Sequence, residues 1–478
     1  MDSKKKAING GKWVTISTVI TTLLQFVQIA VLARLLDPLA FGVVSISTLI
    51  INFFNIFANL GFSNSIIHKQ EGDRNVLSSI YVLNIVLGIV IFLVINLSSF
   101  LVVDFYNEPR LQGVLRVSSF YFLIVYIGQI YSILLQKELL FKSVAIVDIV
   151  GGLFGAFITI TLAYMGFEEL SLIYGQLGMQ AIKSILQVAF GKKFFLPSLY
   201  FNLNKVKDHL KFGMYNVGDG VFSFFQGNLD NIAIGGVLGV EMLGYYTIAY
   251  QLAIFPITKL NPIVLQVAYP VIAKMKQNAS ELKKSYLKIL DLISYVNFPL
   301  LAGLYITADS IVPLIYGPGW EPTIYLIKIF VFVSAFYCLS HPLFTLAYTK
   351  GKPNLLFYLN LITLIVKMPL VYFMGQYWGV TGIAVAFLIA TVINFVLNFG
   401  IVHYLIGSFL REFGKIILKP IVYCLLLVGM VFLYKSIVGY QGLANAIAEI
   451  AIGGLVYVGL TLTFRFSLDE LKALRKLV

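Results

Sequence analysis

Residues 212–274 read FGMYNVGDGVFSFFQGNLDNIAIGGVLGVEMLGYYTIAYQLAIFPITKLNPIVLQVAYPVIAK. Two apolar segments flank a short Gly239-Val240-Glu241-Met242 turn. Both segments carry groups that water welcomes and lipid does not: Asp219, Asn228, Asp230, Lys259 and Asn261. Ionisable side chains inside membrane helices are expensive and mark substrate or ion pathways. The hairpin therefore predicts a polar seam within an otherwise apolar bundle.

The rest of the chain supplies that bundle. Of 478 residues, 59% are hydrophobic and 12% charged, and the mean hydropathy is +0.89. Soluble domains carry about 25% charged residues. Here the charges fall in short clusters between apolar runs of roughly 20 residues, each long enough to cross a hydrocarbon core of about 30 Å. The fold class is an all-α polytopic membrane protein, because a β-barrel would instead show dyad alternation in segments of about 10 residues. The net charge of +13 does not point to nucleic acid, because the Lys and Arg residues sit in alternate loops, which is a topology signal. Cys338 and Cys424 lie in apolar runs and read as buried thiols. His68, His209, His341 and His403 lack metal-ligand spacing. The basic N-terminus runs into an apolar stretch reaching Leu36, too long for a cleaved signal peptide, so it reads as the first spanning helix.

Hydropathy and loop charge predict about fourteen helices. Their spans are near 13–36, 41–63, 78–103, 114–135, 144–165, 170–190, 212–238, 242–268, 287–308, 322–347, 354–374, 379–404, 416–436 and 443–464. Every second loop is basic, from Lys4, Lys5, Lys6 and Lys12 through Lys192, Lys193, Lys205, Lys207 and Lys211 to Arg411, Lys415 and Lys419. The intervening loops are acidic or bare, as at Asp104 and Glu108, Glu168 and Glu169, and Glu241. This alternation places both termini in the cytoplasm. The longest loop, 191–211, mixes Phe194, Phe195, Tyr200 and Phe201 with lysines. It reads as a linker whose interfacial segment meets anionic lipid.

An internal repeat joins the spans. QIAVLARLLDPLAFGVVSIS, from Gln28 onward, resembles NIAIGGVLGVEMLGYYTIAY, from Asn231 onward, when Gly42 is matched to Gly244. Tyr106-Asn107 then matches Tyr316-Gly317, and Gly166 matches Gly379. The order is kept while the offset drifts from 202 to 213 residues, as loop insertions would make it. The chain divides into an N-lobe at 1–190, the linker at 191–211, a C-lobe at 212–405, and two C-terminal helices with a basic tail at 406–478. Each half holds an even number of spans, so the repeat is parallel. Such transporters bind substrate between their halves and rock one against the other. Pro256, Pro262 and Pro270 each remove a backbone donor and predict kinks or ends in the eighth helix, with bending points as a second role.

Polar groups inside the runs are the candidate site. Asp219 and Asp230 are eleven residues apart, near three helical turns, which places them on one face. Lys259 on the returning helix is positioned to pair with one of them. Asp148, Lys183 and Lys367 sit in other spans. Asn52, Asn55 and Asn59 form a stripe on the second helix; Gln176, Gln180, Lys183 and Gln187 form another on the sixth. Arg34 lies at the outer end of the first helix, where snorkelling is its plain reading. Two readings of the set stay open. In one, cations hold an anionic head group while acids carry a coupling proton or sodium ion. In the other, acids and lysines are structural pairs. No phosphate-binding glycine loop, GxSxG or HExxH occurs, so the residues predict neither enzyme nor cofactor.

Three stretches resemble a known family: LARLLDPLAFG at 32–42, NLDNIAIGGVLGVEMLGYYTIAY at 228–250, and PITKLNPIVLQVAYP at 256–270. They are similar to polysaccharide flippases of the multidrug/oligosaccharidyl-lipid/polysaccharide (MOP) exporter superfamily, in its Wzx-like branch of colanic and teichuronic acid exporters. The resemblance spans nearly the whole chain. It implies two six-helix lobes in a V plus two C-terminal helices, in a bacterial plasma membrane. It also implies a polyprenyl-diphosphate-linked oligosaccharide as substrate, with polymerase and chain-length or export proteins as partners. The family's cavity lies between helices 1, 2, 7 and 8, which raises Arg34, Asp230, Lys259 and Asn261. The alternatives are a MATE-like ion-coupled drug antiporter on the same fold, and a non-transporting scaffold of a polymer-synthesis complex.

Overall fold

In a computed structural model, which describes residues 2–59, 66, 70–274, 279–439 and 442–464, the described part of each predicted span is helical apart from breaks of one or two residues. The first half of the chain forms α1 (Asp2–Leu35), α2 (Pro38–Asn59), α3 (Arg74–Tyr106), α4 (Arg110–Ser118), α5 (Phe120–Lys137), α6 (Phe141–Tyr164) and α7 (Glu168–Gly191). It continues as α8 (Leu203–Ala233), α9 (Val240–Lys274), α10 (Ala279–Tyr316), α11 (Glu321–Ser340), α12 (Leu343–Thr349), α13 (Asn354–Ile406), α14 (Leu410–Val438) and α15 (Leu443–Phe464). Among the described residues, ten helical segments are long and apolar enough to cross a membrane, and no strand forms. The protein is a multi-pass membrane protein, and helix is the form in which each segment satisfies its own backbone in lipid.

Local chemistry sets the helix starts. Asp37 accepts a hydrogen bond from the Ala40 backbone N–H at 2.7 Å and Pro38 opens α2; a carboxylate cap followed by proline satisfies the free donors of the first turn. Asp73 and Asn202 cap α3 and α8 in the same way, through the N–H groups of Asn75 and Asn204.

Three expectations change in detail. The predicted fourth span is two helices, α4 and α5, meeting at Ser119. The eleventh and twelfth spans run together as α13, broken only by a kink at Gly379. The Gly-Val-Glu-Met stretch is not a turn: a π-helical segment at Ile234–Leu238 ends at Gly239, whose φ is 96°, and Val240 already begins α9. One glycine reverses the chain because it alone adopts that conformation without strain. Helix α9 then continues through Pro256, Pro262 and Pro270 to Lys274, so these prolines do not end it.

The chain forms two compact units, Met1–Gly244 and Tyr245–Val478. In the first, α6 and α7 approach closely through small residues: a Cβ added to Gly175 would lie 1.7 Å from Thr159 Oγ1. Close backbone approach of this kind lets dispersion forces hold helices together where lipid supplies no hydrophobic drive. The core of the second unit gathers Ile257, Leu282, Tyr286, Leu290, Cys338, Leu346, Phe399 and Phe409 from α9 to α14. A second cluster, Tyr295, Tyr423, Leu427, Val431 and Tyr457, binds α14 and α15 to α10, with the Tyr457 hydroxyl donating to the Tyr295 carbonyl at 3.0 Å.

The repeat is visible in backbone conformation. Asn107 and Gly317 both end their helices at positive φ (51° and 86°), as Gly166 and Gly379 share it (83° and 59°). The third matched pair lies within the first unit, where the starts of α2 and α9 meet. A Cβ on Gly42 would sit 1.9 Å from the Val240 carbonyl oxygen, and one on Gly244 would sit 1.9 Å from that of Pro38. Pro38 and Val240 are themselves repeat equivalents, so the contact is self-complementary. Replacement Gly42→Val must push the two helix starts apart; it is expected to cost about 1–3 kcal/mol by overpacking and to lower the melting temperature in detergent. Gly113→Ala, with nothing within 4 Å of the added atom, should leave it nearly unchanged.

Candidate functional site

The polar groups divide between the two units. In the first, Lys183 on α7 donates to Asp148 Oδ1 on α6 at 2.8 Å. The two side chains retain 22% and 40% of their surface, so the pair borders open space rather than a sealed core. Beside it lies a cavity of about 160 Å³ lined by Ser132, Gln136, Asp148 and Gln187 together with Leu135, Val144 and Val147. Among the described residues, the buried Gln187 Oε1 has no hydrogen-bond partner. Asn55 hydrogen-bonds the Tyr121 side chain, while Asn52 is exposed. Alongside this stripe, Phe53 on α2 meets Phe224 and Phe225 on α8 at 5.3 and 6.0 Å. Asp230 is buried near the end of α8, and Arg34 is exposed in the last turn of α1. The side chains of Asn59 and Asp219 lie outside the described residues.

In the second unit Asn261 has no exposed surface. Its Oδ1 accepts from Asn297 Nδ2 at 2.9 Å, and its Nδ2 reaches the Cys338 carbonyl at 3.5 Å. In this arrangement Asn261 joins α9 to α10 and α11 and has no surface to offer a ligand. A buried amide is stable when its own groups are paired in this way. Lys367 is also buried, with its ammonium 4.0 Å from the centre of the Phe387 ring. Phe387 in turn packs on Tyr250 and Phe330. A cation over an aromatic face is stabilised by the ring quadrupole, more so when desolvated. Lys259 is partly buried on α9.

One polar cluster escaped the sequence reading. Lys328 on α11 pairs with Asp309 on α10, at 2.9 Å to each carboxylate oxygen. Lys435 on α14 lies 4.0 Å from Asp309 and 3.6 Å from Glu449 on α15, and donates to the Ile306 carbonyl at 2.7 Å. Glu449 is completely buried and also accepts from Ser310 Oγ at 2.8 Å. The network ties four helices together and is structural. Lys328, Lys435 and Glu449 stand inside predicted spans, which was the available signal. Glu449→Ala removes the nearer carboxylate from Lys435 and should cost up to about 3–5 kcal/mol, read as a lower melting temperature, whereas Lys435→Met with Glu449→Leu should recover most of it.

Comparison with known proteins places this architecture. A family model described as "Polysaccharide biosynthesis protein" matches residues 31–325. The lipopolysaccharide biosynthesis protein WzxC of Escherichia coli (strain K12) is 31% identical over 414 residues, covering 86% of this chain and 84% of that protein. The teichuronic acid biosynthesis protein TuaB of Bacillus subtilis (strain 168) is 29% identical over 416 residues, covering 87% and 86%. Among solved structures, the lipid II flippase MurJ in its inward closed conformation superposes with a TM-score of 0.74 at 15% identity, covering 96% of this chain and 99% of that one. An inward-facing multidrug resistance MATE family transporter of the MOP superfamily gives 0.60 at 16% identity, covering 80% and 95%. This chain belongs to the polysaccharide biosynthesis protein family and carries the fold of the MOP superfamily.

Proposed function

We propose that the protein is a flippase that moves a polyprenyl-diphosphate-linked oligosaccharide from the cytoplasmic to the outer leaflet of a bacterial plasma membrane, by alternating access between two lobes. One observation carries the reading. Relatives named for making polysaccharide align over more than four fifths of their length, and a lipid II flippase shares the fold end to end. The basic loops orient the chain with both termini in the cytoplasm. The cargo's chemistry fits the residues. A diphosphate needs cations, which Arg and Lys supply in a low-dielectric setting. Sugars need amides and aromatic faces, and the polyprenyl tail needs a lateral opening to lipid.

Within this reading Arg34 and Lys259 hold the diphosphate. Lys183 and Lys367 play a lesser part, because Asp148 and the Phe387 ring already engage them. Asp230, Asp219 and Asp148 are the groups for a coupling proton or sodium ion, with Asn52, Asn55 and Asn59 beside the path. Asn261 acts by positioning α9, which carries Lys259. Polymerase and export proteins would consume the product on the outer face.

A second reading has the MATE likeness behind it: an ion-coupled antiporter of organic cations. Its path would favour acids over lysines. Cells carrying Arg34→Ala or Lys259→Ala should export polysaccharide at least tenfold less with normal protein levels, while Lys259→Arg retains most export. Wild-type export in both alanine variants contradicts the assignment of these cations. Uptake of small organic cations by vesicles bearing the wild-type protein would favour the antiporter.

A further inference from the structure

Helices α10 and α14 begin at the same end of the second unit, where Lys283 meets Glu412, and the turns that follow, residues 284–295 of α10 and 415–419 of α14, line a cavity of about 520 Å³. Its walls carry Lys284 and Lys288 from α10 and Lys415 and Lys419 from α14, with Asp291, Leu287, Tyr295 and Ile416 completing them. Each lysine pair is spaced i, i+4, so both ammonium groups of a pair leave the same helix face. Like charges at that spacing destabilise a helix, and two such pairs brought together across one cavity repel further. One carboxylate, Asp291, stands among the four cations. The volume falls within the roughly 300–1,000 Å³ of ligand pockets, and the charge selects an anion.

The walls are fixed independently of any ligand. Lys283, next in sequence to Lys284, donates to the Ser408 carbonyl and to Glu412 Oε1, the latter at 2.7 Å, which clamps the start of α14 to α10. Below the cavity, Tyr295 packs edge-on against Tyr423. Along the same two helices, the turns that follow the lysines expose Leu292 and Leu300 on α10 and Val422 and Leu425 on α14. A cationic cradle thus continues into apolar helix faces, the sequence of environments that a phospholipid presents from phosphate to acyl chain. Basic pockets between membrane helices on the cytoplasmic side hold anionic head groups.

We propose that this cavity binds the phosphate of an anionic glycerophospholipid, with its acyl chains lying along α10 and α14. The site shares no residue with the proposed transport path. Only the leaflet, the cytoplasmic one, rests on the orientation given above. A free phosphate has the same charge chemistry but gains nothing from the apolar faces, so the lipid is the occupant.

The test uses the purified full chain in phosphatidylcholine nanodiscs with and without phosphatidylglycerol. Phosphatidylglycerol is expected to raise the melting temperature by several degrees and to be retained through purification, as counted by native mass spectrometry. The variant Lys284→Gln/Lys288→Gln/Lys415→Gln/Lys419→Gln should bind phosphatidylglycerol at least tenfold more weakly with an unchanged melting temperature in phosphatidylcholine alone. The matching four-arginine variant should retain binding. If the glutamine variant does not fold, Lys284→Gln/Lys288→Gln serves in its place, with a smaller loss expected. Equal retention in wild type and glutamine variants overturns the proposal, as does an equal stabilisation by inorganic phosphate. Export is assayed separately in the same variants, so failure here leaves the flippase reading standing.

Discussion

A charge on a membrane helix must find a partner or face water, because hydrocarbon supplies neither hydrogen bonds nor dielectric screening. The architecture of this protein follows from that constraint. At three places an acid and a lysine on neighbouring helices meet: Lys183 with Asp148, Lys328 with Asp309, Lys435 with Glu449. The pairs differ in setting. Glu449 is sealed and Lys435 nearly so, which suits a permanent tie among α10, α14 and α15. Asp148 and Lys183 keep open surface beside a polar cavity, which suits a group that exchanges partners. Charge pairing therefore serves both to assemble the bundle and to leave selected groups accessible.

Duplication supplies the second constraint. Two equivalent helix starts, those of α2 and α9, meet within the first unit, and the contact is self-complementary: Gly42 against Val240, Gly244 against Pro38. Neither position tolerates a side chain at this distance. The same plan recurs at the chain reversals, where Asn107 matches Gly317 and Gly166 matches Gly379 in positive φ. These are residues that accept a left-handed backbone at little cost. The repeat persists through its conformational demands while most of its side chains have diverged.

The spans, their order and the repeat were legible in the sequence because each rests on composition or on residue types with one physical use. Glycine at 42, 166, 244 and 379 could be matched by type alone, and asparagine at 107 stands in for glycine because both tolerate positive φ. Rotation about each helix axis was not legible. Hydropathy places Asn261 in a span but does not say that its amide faces Asn297. It places Lys435 and Glu449 near span ends, where snorkelling is the simpler reading, and does not say that they meet. The reversal at Gly239 was misread for a related reason: Glu241 looked like a loop residue, yet it is exposed in the first turn of a helix whose start needs only the glycine before it. The basic loops gave topology, but that Lys284, Lys288, Lys415 and Lys419 line one cavity depends on the packing of α10 against α14.

Movement of a lipid-linked glycan between leaflets is the proposed activity. Its most direct test is reconstitution of the purified protein into liposomes that hold one fluorescent polyprenyl-diphosphate oligosaccharide, with the outer-leaflet fraction followed by an impermeant quencher or glycosidase. The account predicts that the protein speeds redistribution between leaflets over protein-free liposomes, and that Arg34→Ala and Lys259→Ala abolish this gain. Redistribution no faster than in protein-free liposomes, under sodium and proton gradients of either sign, would contradict it.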